Sequence, residues 1–286
     1  GYIFDIQIRA NAGEHTAFVR IAGSHTNMIR VEKEGTVLRD LKYEEGGRAE
    51  ETDRSILNVE NIIEFADCVD IKDVKAVLDR QIDFNVAIAD VANRAKAMAA
   101  AGSDARMSGC ERPVVINSGS GNQGMTASLP VIVYAKELKA SQSQLYRALV
   151  VSNLVTIHLK TGIGRLSAYC GATSAGCGAG AGITYLYGGK ANEISHTIVN
   201  AVAINSGMVC DGAKASCAAK IASAVEAGLL GMQMQMQGEQ FYGGDGIVVK
   251  GVENTIRNVG RLARFGMAET DREIIDMMVS SQPQRC

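Results

Sequence analysis

The spacing of hydrophobic and polar positions changes period near residue 53. Upstream, Ala17, Val19 and Ile21 alternate with more polar neighbours, and Ile29 and Val31 do so beside Arg30 and Glu32. Residues 14–40 therefore read as β structure. Lys33-Glu34-Gly35-Thr36 reads as a hairpin turn, because Gly takes the positive φ that such turns need. Residues 42–53 are polar and Gly-containing, as expected of a loop. Downstream the spacing becomes helical. Val74, Leu78, Ile82 and Val86 fall four apart, with Asp70 or Asp73 as a cap, which predicts one long helix ending near Gly102. Further helices are expected at about 122–139, 142–160, 166–186, 190–208, 213–230, 250–264 and 270–280, joined by Gly-rich turns. The chain holds 37 Ala and 31 Gly against 14 aromatic residues, and small residues let helix backbones approach closely. The expected class is α+β: a small N-terminal β-containing region over 1–54, the remainder of a larger N-terminal domain, followed by a large Gly/Ala-rich all-α domain over 55–286.

Composition narrows the classes. Of 286 residues, 47% are hydrophobic and 21% charged, too charged for a membrane bundle and too apolar for disorder. A net charge of −2 argues against a nucleic acid or a membrane surface as partner. The charges are unevenly spread. Residues 1–100 hold 31 of the 60, and between Leu166 and Cys210 only Lys190 and Glu193 are charged. The longest uncharged stretches, 113–135 and 166–189, are broken by Gly and Ser, so neither reads as a membrane span. Seven cysteines would leave one over in a closed disulfide framework, and no signal peptide is legible at the N-terminus. A reducing cytoplasm, with thiols available as metal ligands, is the expected compartment. The chain opens on Gly1 rather than Met, which suggests a removed tag or a piece of a longer protein.

Two features carry candidate chemistry. Asn117-Ser118-Gly119-Ser120-Gly121-Asn122-Gln123-Gly124 follows an apolar run and precedes a predicted helix. Successive Gly residues expose backbone N–H groups, and the helix start adds its positive dipole end, a cradle for an anion such as a carboxylate. The alternative is a plain helix-entry turn. The loop lacks the βαβ setting of a dinucleotide-binding fingerprint. The second feature is cysteine spacing. Cys170 and Cys177 lie seven positions apart, as do Cys210 and Cys217, so each pair could share a helix face. Core packing is the plain reading of any one of them. As metal ligands, their wide spacing favours an iron–sulfur cluster over a structural zinc site.

Ala168-Tyr169-Cys170-Gly171-Ala172 and Met208-Val209-Cys210-Asp211-Gly212-Ala213-Lys214-Ala215-Ser216-Cys217 closely resemble the L-cysteine desulfidase family. That family is related to the α-chain of iron–sulfur L-serine dehydratases. Residues 118–124 and 178–189 match as well, and the likeness runs from about 15 to 265. The resemblance implies a serine dehydratase α-chain-like helical domain over 55–286 and a [4Fe–4S] cluster held by Cys170, Cys210 and Cys217. Three ligands leave one iron open as a Lewis acid. It implies a lyase that takes L-cysteine or L-serine to pyruvate and ammonia. Ser118, Gly119, Ser120, Gly121, Asn122 and Gln123 would then bind the small amino-acid substrate. The family's Gly-Cys-Thr-Glu-Pro segment is absent, since this chain contains no Glu-Pro.

Other residues fill in the picture. Lys214 would be catalytic, neutralising cluster charge or pairing with the substrate carboxylate; the alternative is a local pair with Asp211. His25 lies in a faintly Ser-His-Thr-like stretch, and His158 reads as a satisfied core histidine. Cys68, Cys110 and Cys286 read as packed or free thiols. Two rivals stand beside the lyase reading. The Ser120-Gly121-Asn122 run also resembles a loop of pyridoxal-phosphate-dependent dehydratases, without their Schiff-base lysine. A non-catalytic helical fragment or binding module is the other. The small-residue helix faces suit a homo-oligomer.

Overall fold

The computed structural model describes residues 5–22, 27–42, 54–90, 98–164 and 167–280, without the side chains of 86–90. His25, Cys286 and most of the expected 42–53 loop lie outside the described residues. The chain divides into two compact units, Gly1–Ser55 and Ile56–Cys286.

The first unit is a four-stranded antiparallel meander in the order β1 (Asp5–Ala12), β2 (His15–Ala22), β3 (Met28–Lys33), β4 (Thr36–Asp40). The turn between β3 and β4 falls at Glu34 and Gly35, both at positive φ, the pair of left-handed residues that a tight hairpin demands. Strand β1 extends the sheet beyond the expected start at residue 14. Its signal was present, because Ile6, Ile8, Ala10 and Ala12 alternate with polar residues.

The second unit is helical. Helix α1 (Val59–Cys68), absent from the sequence reading, buries Val59, Ile62, Ile63 and Ala66 on one face. Helix α2 (Ile71–Asp90) is capped by Asp70, whose carboxylate accepts the Lys72 N–H at 3.0 Å. The expected single helix to Gly102 is corrected: α3 (Met98–Met107) runs past Gly102 and packs against α2, so the two are not collinear. Then come α4 (Gly121–Glu137), α5 (Gln142–Ile163), α6 (Gly171–Leu186), α7 (Ala191–Ile204), α8 (Cys217–Met236), α9 (Val252–Arg261) and α10 (Ala268–Ser280). A π turn, Leu262–Gly266, widens the end of α9.

Helix α6 is the hub, touching α4, α5, α7 and α8. Residues 171–184 of it are all buried. Its small side chains make this possible. A Cβ on Gly176 would lie 2.1 Å from the Ala224 carbonyl oxygen of α8, and one on Gly228 would lie 2.2 Å from that of Gly176. Two helices thus meet backbone to backbone, where any larger residue overlaps. No helix among the described residues is long and apolar enough to cross a membrane.

Candidate active site

The 118–123 loop is a tight reverse turn onto α4. Asn117 and Ser120 exchange backbone hydrogen bonds at 3.1 and 3.0 Å, which forces Ser118 (φ 50°) and Gly119 (φ 87°) into the left-handed region. Ser120 caps α4, its Oγ accepting the Gln123 N–H. Side-chain amides hold the turn from behind. Asn117 Nδ2 donates to Asn153 Oδ1 at 2.9 Å, and Asn153 Nδ2 donates to Gln81 Oε1 at 2.7 Å. Fully buried Asn85 accepts the Val115 N–H and donates to Ser128. Such a saturated network fixes the loop in one geometry. On the open side Arg106 of α3 donates from Nη1 to Asn122 Oδ1 at 3.1 Å.

The cysteines sit on two other segments. A β-bridge pairs Tyr169 with Val209, with Cys170 N–H on the Met208 carbonyl (3.0 Å) and Cys210 N–H on that of Ala168 (2.6 Å). This bridge is why α6 begins at Gly171 rather than 166, with Cys170 as its N-cap residue. It also brings Cys170 and Cys210 together, close enough that each thiol acts on the ionisation of the other. Interaction with Cys170 is the largest cause that holds Cys210 below the ordinary thiol range, against burial and with help from the Gly212 N–H, Lys160 and Lys220. The same interaction, then burial, drives Cys170 far above that range.

Cys217, the first residue of α8, stands apart from that pair. Its Sγ donates to the Gly212 carbonyl at 3.4 Å and accepts the Lys214 N–H at 3.5 Å. Among the described residues no three His, Cys, Asp or Glu side chains converge as a metal site. The donor set nonetheless suits a thiolate-bound metal, because two thiols meet, one ionises readily, and cations face them. Cys170 and Cys177 both lie near the Tyr169 side chain. Cys177 lies inside α6, and burial pushes its thiol up to about 12. Cys68 is exposed and Cys110 half-buried.

Lys214 is exposed, and Asp211 pairs with Lys220 instead. Lys220 and Lys160 are the cations that act on Cys170 and Cys210. Lys160, only 7% exposed, is pulled below the ordinary lysine range by burial, against the fields of Cys210, Cys170 and Asp271. An isolated lysine in the apolar run of α5 was a signal the sequence offered. Arg106 had a fainter one, a cation in the segment before a Gly-rich loop, shared with Arg112. His158 is satisfied by Glu253 at 2.7 Å.

The loop and the cysteines adjoin through Gln123. A Cβ on Gly171, next to Cys170, would lie 2.5 Å from Gln123 Nε2, so the amide rests on the start of α6. Gln123 Oε1 is buried without a partner, as are Ser174 Oγ, Tyr169 Oη and Asn205 Nδ2. Thr173 donates to the Asn205 carbonyl, which places Asn205 at the same first turn of α6. Orphaned polar atoms are rare inside proteins and mark places where a polar guest is bound. By contrast, a cleft of about 520 Å³ beside Val209 is lined by Glu269, Glu273 and Asp276. Arg272 also lines it but is paired with Glu269 at 2.6 Å, so the cleft stays net acidic and ill suited to an anion.

A family model described as the serine dehydratase alpha chain matches residues 9–276. A UPF0597 protein of Desulfitobacterium hafniense is 58% identical over 97% of this chain and 70% of its own length. UPF0597 proteins of Lachnoclostridium phytofermentans and Treponema denticola are 48% and 41% identical, each over 96% of this chain and 71% and 70% of theirs. No solved structure matches the chain.

Proposed function

The chain belongs to the serine dehydratase alpha chain family, and from that premise we propose that it is a lyase acting on L-cysteine or L-serine. Sulfide or water leaves from Cβ as the Cα proton is lost. The resulting 2-aminoacrylate tautomerises and is hydrolysed to pyruvate and ammonia. The observation that carries this reading is the contact of Gln123 with Gly171, which joins the 118–123 loop to Cys170.

The backbone N–H groups of the 118–123 loop and the N-terminal dipole of α4 suit the substrate carboxylate. Gln123 Oε1, a buried acceptor with no partner, suits the substrate ammonium. That orientation directs Cβ and its leaving group towards Cys170 and Cys210. A [4Fe–4S] cluster held by Cys170, Cys210 and Cys217 would supply a Lewis-acid iron for the departing sulfur or oxygen. Lys160 and Lys220 offset the negative charge of ionised thiols at this place, a role the sequence had suggested for Lys214.

Anaerobic reconstitution with iron and sulfide tests the reading. About four irons and four acid-labile sulfides per chain are expected, and Cys210→Ala should retain little of either. Equal iron in wild type and Cys210→Ala contradicts it.

A further inference from the structure

We propose that Arg106 reads the α-carboxylate of the substrate and thereby restricts this site to free α-amino acids; this rests on the lyase reading. Three observations lead there. First, the guanidinium lies against Gly121, the first residue of α4: a Cβ on Gly121 would be 2.9 Å from Arg106 Nε and 3.2 Å from Cζ. A cation at a helix N-terminus faces the positive end of the dipole, an adverse placement unless an anion joins them. Second, among the described residues Arg106 has no carboxylate partner. It uses one donor of its five, on Asn122 Oδ1. Asn122 is itself only 8% exposed, so that bond fixes the direction of the guanidinium and leaves its remaining N–H groups for a ligand.

Third, the next residue along supplies the opposite polarity. Gln123 Oε1 is a buried acceptor without a partner, and its amide touches Gly171. The order Arg106, Asn122, Gln123, Gly171, Cys170 therefore runs from a cation through an acceptor to a thiol. An L-α-amino acid carries the complementary series of carboxylate, ammonium and Cβ substituent. An amide, an ester or a decarboxylated amine lacks the group that Arg106 holds. A fork of charge-assisted hydrogen bonds to a carboxylate discriminates by about 10- to 100-fold.

The test is a binding measurement that needs no turnover. L-Alanine and L-alaninamide, which have no leaving group on Cβ, are titrated calorimetrically into the full chain and its Arg106→Gln variant. Gln can still donate to Asn122 but carries no charge. Wild type should bind L-alanine about 10- to 100-fold more tightly than the amide. Arg106→Gln, with an unchanged melting temperature, should lose most of that preference and keep only what the loop N–H groups and the α4 dipole supply. Arg106→Lys, which keeps the charge and loses the fork, should fall between wild type and the Gln variant, and serves if the latter does not fold. A wild type that ignores the carboxylate, or a folded Gln variant that keeps the selectivity, overturns the proposal. The two readings fail separately. Carboxylate selectivity without pyruvate production removes the lyase and keeps Arg106, and pyruvate production with unchanged selectivity in Arg106→Gln does the reverse.

Discussion

Cys170 and Cys210 differ in chemistry although they are the same residue type at one end of the same bridge. Their interaction, with burial and the nearby cations, raises the Cys170 thiol and lowers that of Cys210. In metal-free protein, Cys210 should react with iodoacetamide along a curve that rises below the ordinary thiol range, since only the thiolate attacks. Cys170→Ala removes the largest cause of that depression, so the midpoint should move up towards the ordinary thiol value. An unmoved midpoint means that Cys170 does not set the reactivity. Spacing in the sequence singled out these cysteines but misjudged their company. Seven positions suggested one helix face for Cys170 and Cys177; Cys170 is the N-cap residue of α6, Cys177 lies inside it, and it is Cys210 that meets Cys170 across the bridge. The pairing of residues 169 and 209 is a long-range contact without a local signal, as is the action of Lys160 and Lys220 on the thiols.

Helices α6 and α8 are held at backbone contact by what they lack. Gly176→Ala and Gly228→Ala each drive a methyl into a main-chain carbonyl that cannot retreat like a side chain. Each should destabilise the chain by about 1–3 kcal/mol or more, read as a lowered melting temperature. Gly207→Ala, with open space around it, should change little. Equal melting temperatures for all three would contradict the packing. The small-residue composition pointed to such close helices, and the centres of α4 to α10 were legible from their period. Their starts were not, where a tertiary contact decides them: α6 begins after the Tyr169 bridge, and α8 begins at Cys217 rather than near 213. Helix α1 was missed because Val59, Ile62, Ile63 and Ala66 form a stripe of barely three turns beside a polar loop.

Across the whole chain, the scarcity of charge between Leu166 and Cys210 follows from burial of α6 and much of α7. That stretch is the centre of the helical unit, and the candidate site lies at its N-terminal end. The family, the α+β class and the cysteine and loop motifs were legible because they are contiguous strings of residues. What joins the motifs was not. Gln123 meets Gly171, and Arg106 meets Gly121, only once α3, α4 and α6 have packed. The central claim is that these parts form one lyase site, and pyruvate release by the anaerobically reconstituted chain tests it most directly. The expected result is pyruvate with equimolar ammonia from L-cysteine or L-serine, with sulfide accompanying L-cysteine. A chain that takes up its full iron yet yields no pyruvate from either amino acid would contradict the account.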